Sequence, residues 1–98
     1  MNAMRITSVT LTELDDGQFN LSHISDGGWR GGATYHHGRY PDYAPLPRSL
    51  HDLHRLMRIH EIPTATINTL TEGEREVTLE EVIHMRQQLK RMIELIGL

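Results

Sequence analysis

The chain has 98 residues, 38% hydrophobic and 23% charged, with no Cys and a formal net charge of −3 when His is neutral. That length suits one domain with one modest core, and the lack of Cys excludes a disulfide scaffold, a thiolate nucleophile and any Cys-based zinc or iron–sulfur site. No apolar run approaches the ~20 residues of a membrane span, and a mildly acidic chain lacks the basic footprint of a nucleic-acid-binding domain.

In chain order, the opening "MNAMRITSVTL" has no charged-then-apolar signal architecture, so a cytoplasmic protein is expected. "RITSVTLTEL" is rich in β-branched residues, and Asp15-Asp16-Gly17 is a type I turn closed by a left-handed Gly. A hairpin over 4–25 follows. Its three-residue loop sets Leu11 opposite Leu21 and Val9 opposite His23, so Val9, Leu11, Phe19 and Leu21 share one face. Gly pairs then break the strand, and residues 27–47 read as a loop or as a third strand near "ATYHH". Pro41, Pro45 and Pro47 predict an extended connection. Ser49 is the expected N-cap of a helix over 50–61, with Asp52 at N3 and an apolar stripe of Leu50, Leu53, Leu56 and Met57. "TATINTL" predicts an edge strand or link within 63–77. "TLEE" is a capping box opening a long amphipathic helix over 79–96, with Val77 and Val82 at the staple positions and Gly97 as C-cap. The expected fold is α+β: an antiparallel hairpin, three-stranded if extended, packed against two helices.

Two features suggest contact surfaces. The stretch "GGWRGGATYHHGRYPDY" (27–43) holds the Trp and all three Tyr of the chain. Trp, Tyr and Arg dominate binding hot spots because they bring large area at low rotamer cost. A recognition segment carried by Trp29, Arg30, Tyr35, His36, His37, Arg39, Tyr40 and Tyr43 is therefore expected. The competing reading makes Trp29 and Tyr35 core residues, with Tyr40 and Tyr43 lying over the helices. In the last helix, Val82, Met85, Leu89, Met92 and Ile96 are spaced 3, 4, 3, 4, an a/d seam. Leu79, Ile83, Ile93 and Leu95 widen it beyond what one small hairpin covers. Either the helix divides its faces between the sheet and the first helix, or the seam makes a homodimer.

Other chemistries find little support. "WRGGATYHHG" lacks the Lys-Ser/Thr of a phosphate loop and has no GxGxxG spacing, although amides near Arg30 offer a weak anion cradle. Seven His occur without a spaced ligand motif, so neither a metal nor a cofactor is expected. No GxSxG elbow or catalytic carboxylate pair appears, and no catalytic residue is assigned. About seventeen residues separate the two helices, too many for a helix-turn-helix, and nucleic acid is not an expected partner. The leading expectation is a small non-enzymatic regulator or inhibitor that binds another protein and forms a homodimer. Its size and composition suit the anti-defence type encoded by phages and mobile elements, an analogy only. The alternative is a small-ligand, anion or metal-binding module built on the His/Arg/Tyr cluster.

Overall fold

Asp15, Asp16 and Gly17 turn the chain back between β1 (Ile6–Glu13) and β2 (Phe19–Ser25). Gly17 sits at φ 82°, in the left-handed region that favours glycine. Leu14 N–H donates to the Gln18 carbonyl at 2.8 Å. The register follows as expected, with Leu11 opposite Leu21, Val9 opposite His23 and Glu13 opposite Phe19. The computed structural model describes residues 5–37 and 44–96.

A short 3-10 turn (Asp26–Gly28) leads into β3 (Arg30–Tyr35), antiparallel to β2. β3 starts three residues before the expected "ATYHH" strand and ends before His36. Glycine suits it at Gly32, where a Cβ would fall 2.7 Å from the Leu21 carbonyl oxygen. α1 (Pro45–Ile59) follows. β4 (Thr64–Thr69) and β5 (Gly73–Thr78) form a second hairpin, and α2 (Leu79–Ile96) closes the chain. The sheet has five strands in the order β3-β2-β1-β4-β5, with β1 and β4 parallel and the other pairs antiparallel. The fold is α+β, with five strands rather than three.

Three expectations need correction. First, α1 begins at Pro45, not after Ser49: Pro45 and Pro47 occupy the first turn, where a missing N–H costs little. Ser49 is no cap. It is fully buried inside the helix, its hydroxyl donating to the Leu46 carbonyl at 3.1 Å. Second, α1 ends at Ile59, and Glu61 lies beyond it at φ 54°, while Ile62 N–H bonds the Met57 carbonyl at 2.9 Å. Third, 63–77 is no edge link. β4 is an interior strand, and the edge is β5, which buries only Val77 and carries charge elsewhere, a usual protection of an exposed edge.

The "TLEE" capping box forms as read: Thr78 N–H donates to Glu81 Oε1 at 3.1 Å and Glu81 N–H to Thr78 Oγ1 at 3.2 Å. Val77 and Val82, the staple pair, are fully buried. The expected C-cap, Gly97, lies outside the described residues. Both helices cover one sheet face, where Val9, Leu11, Phe19, Leu21, Ala65 and Ile67 meet Leu50, Leu53 and Met57. Thr78 pairs with Thr64, and Leu79 N–H bonds the Pro63 carbonyl at 3.1 Å. α2 therefore starts at the sheet end where α1 finishes, and the two helices run antiparallel.

Candidate functional site

β3 divides the aromatic segment. At ~3.3 Å per residue, Trp29 and Tyr35 lie about 20 Å apart along the strand. Trp29 is 68% exposed at the β2–β3 turn beside exposed Arg30, so it is not a core residue. Tyr35, His36 and His37 stand at the opposite end. Trp29 and Arg30 thus do not share one patch with Tyr35, His36 and His37. Arg39, Tyr40 and Tyr43 lie outside the described residues.

The Tyr35–His37 end is bound up within the chain. The Tyr35 hydroxyl donates to Asp52 Oδ2 at 2.6 Å, and the Arg48 guanidinium sits 5.7 Å above the Tyr35 ring. His37 Nε2 donates to the Asp16 carbonyl at 2.8 Å, His36 Nδ1 bonds Gln18 Oε1, and Arg48 donates to the His36 carbonyl. These bonds staple the β1–β2 turn and the end of β3 to α1. Burial and then the bond to Asp52 push the Tyr35 hydroxyl pKa well up. Asp52 moves the other way. Burial would raise its pKa, but hydrogen bonds from Tyr35 and His51, with nearby positive charge, hold it below the usual 3.8. A carboxyl with a depressed folded pKa stabilises the fold above its unfolded pKa and loses that contribution as pH falls through the folded value. Asp52→Asn is therefore expected to lower the melting temperature near neutral pH, and the gap to wild type should close below about pH 3.8, as thermal melts across pH 2–7 would read.

The expected seam on α2 is divided. Val82 is fully buried in the chain's own core, and Met85 and Leu89 pack against that core. Val82 is thereby unavailable to a second chain. Met92 and Ile96 are 56% and 75% exposed, and Leu95 is exposed beside them. The core-facing stripe continues past the body as an apolar overhang at the end of α2. On another side of α2, between it and α1, runs a groove of about 600 Å³, lined by Pro47, Leu50, Ile83, Leu89 and Ile93, with Lys90 and Glu94 also on its wall.

A second cleft, of about 540 Å³, adjoins that groove through the shared His54 and Arg86, and His51, Arg55, Arg58 and Ile59 complete its lining. Arg86 Nη1 donates to His54 Nδ1, which leaves the imidazole proton on Nε2. Burial first, then the charges of Arg86, Arg58 and His51, hold the His54 pKa below its usual value. The signal for this cleft was present as Arg55 and Arg58 one turn apart, but their meeting with Arg86 depends on antiparallel helix docking. Among the described residues, no three His, Asp or Glu side chains form a metal ligand set, and no helix is long and apolar enough to cross a membrane. Compared with protein-family models, curated proteins and solved structures, the chain matches none.

Proposed function

We propose that this chain is a small non-enzymatic binding protein, a regulator or inhibitor acting in the cytoplasm, and that it works as a homodimer. The observation that carries this reading is the α2 overhang: Met92, Leu95 and Ile96 stand exposed together at the end of a stripe whose first half is core. A large contiguous apolar surface marks an interaction site rather than a solvated face. The occupant is a second copy of α2, laid antiparallel. Val82, Met85, Leu89, Met92 and Ile96 recur at the 3, 4, 3, 4 spacing of a helix–helix seam, so a second copy of α2 would continue over Met92 and Ile96 the packing that the core supplies to Val82, Met85 and Leu89. Trp29, exposed on the far turn of β2–β3, is left for contact with another protein, and Tyr35, His36 and His37 are structural.

The chain has no Cys, so one introduced thiol is unique. Under mild oxidation in dilute solution, Met92→Cys, near the two-fold axis, is expected to give a disulfide-linked dimer quickly. Thr34→Cys, on the exposed edge strand, is expected to do so slowly. Equal slow rates for the two would overturn the proposed seam.

A further inference from the structure

We infer that the cleft formed by His51, His54, Arg55, Arg58, Ile59 and Arg86 is a binding site for a phosphoryl anion, a phosphate ester or short polyphosphate. Acids outnumber Lys and Arg in this chain by 13 to 10, yet no carboxylate lines this cleft among the described residues. Arg5 and Arg75 do find acids: Arg5 pairs with Glu61 at 2.9 Å, and Arg75 lies within 4 Å of Glu72 and Glu81. Arg55, Arg58 and Arg86 form no ion pair among the described residues. Asp52, which bonds Tyr35 and His51 and whose charge also reaches Arg55, does not line the cleft. Three guanidinium groups on one wall that carries no carboxylate repel one another, and an anion seated there relieves that repulsion.

The donor chemistry selects the anion. Guanidinium forks match the paired oxygens of phosphate, and three of them can serve a tetrahedral or chain-like oxyanion together. His54 adds a donor even when neutral, because Nδ1 is taken by Arg86 and the proton sits on Nε2. Ile59, 60% exposed, gives one apolar wall, which suits an ester better than a bare ion. The volume lies within the ~300–1,000 Å³ typical of small-ligand sites. Three Arg confined to one cleft, on an acidic chain, make a shorter basic track than a nucleic-acid backbone requires.

The test is calorimetric titration of the full chain with sodium tripolyphosphate and with inorganic phosphate, ionic strength held constant with NaCl. Saturable binding of one tripolyphosphate per chain is expected, tighter than phosphate. Arg86→Gln and the double variant R55Q/R58Q should each weaken it roughly tenfold or more. Arg30→Gln, on the far strand, should leave it unchanged. Arg55 and Arg58 are exposed, so R55Q/R58Q should keep the wild-type melting temperature or raise it without ligand, which separates loss of the site from loss of the fold. The inference is overturned if wild type shows no saturable binding, or if R30Q weakens binding as much as R55Q/R58Q. It is equally overturned if a single-stranded oligonucleotide binds and tripolyphosphate does not compete with it.

Discussion

Leu53→Ala is expected to lower stability by about 2–5 kcal/mol, the range for a buried Leu truncated in a core that relaxes only partly. Leu53 is fully buried on the inner face of α1, in the cluster with Leu11, Leu50 and Met57. A domain of this size has roughly 5–15 kcal/mol in all. At ~4–8 °C per kcal/mol, the melting temperature should fall by roughly 8–40 °C. Leu70 supplies the contrast. It lies 57% exposed in the turn between β4 and β5, and Leu70→Ala should change stability by no more than about 0.5 kcal/mol. Thermal melts of the two variants decide the point. A similar loss in both would mean that α1 does not pack its Leu50–Leu53–Met57 stripe on the sheet as described.

The second large effect falls on assembly and leaves the fold alone. M92K/I96K places four new cations across the proposed seam, two from each copy, and removes the apolar side chains that would be buried there. Burying such a side chain is worth about 1.5–3 kcal/mol, and every 1.4 kcal/mol is about tenfold in affinity. Dimer dissociation should therefore strengthen by at least roughly a thousandfold. Both positions are already more than half exposed within the chain, and Lys near a helix C-terminus suits the helix dipole. Circular dichroism and the melting midpoint of the monomer should be unchanged. A variant that still sediments as a dimer would move the interface away from α2.

The contrast between Leu53 and Met92 also shows what was legible in the sequence. Where a local rule fixes geometry, the reading carried through to atoms. Asp15-Asp16-Gly17 set a three-residue loop, and the loop set the β1–β2 pairs from Glu13–Phe19 back to Ser8–Ile24, beyond which a bulge shifts the register. Thr78 and Glu81 capped α2 reciprocally. Where two local rules compete, the reading failed. Pro45 and Pro47 are compatible with an extended link and equally with a first helical turn, and only docking of α1 on the sheet decides between them. With the helix begun earlier, Ser49 moved from cap to core, and Asp52 became free to receive the Tyr35 hydroxyl. β5 was hidden because its single buried residue, Val77, leaves no two-residue alternation to see.

The candidate sites divide along the same line. An aromatic-rich stretch is contiguous in sequence, but an extended strand carries its ends apart, and β3 did so to Trp29 and Tyr35. The reverse holds for the basic cleft. Arg58 and Arg86 are 28 positions apart in sequence, and an antiparallel helix pair brings them to one wall. The seam on α2 was legible as a periodicity. Its division into a core half and an exposed half depends on where the body of the domain ends.

Sedimentation equilibrium of the wild-type chain over a wide concentration range tests the proposed dimer most directly. A mass of twice the 11.3 kDa of one chain, falling toward one chain only on dilution, is the expected result. A single-chain mass that persists to the highest concentrations reached would contradict it, and would leave Met92, Leu95 and Ile96 exposed for some other occupant.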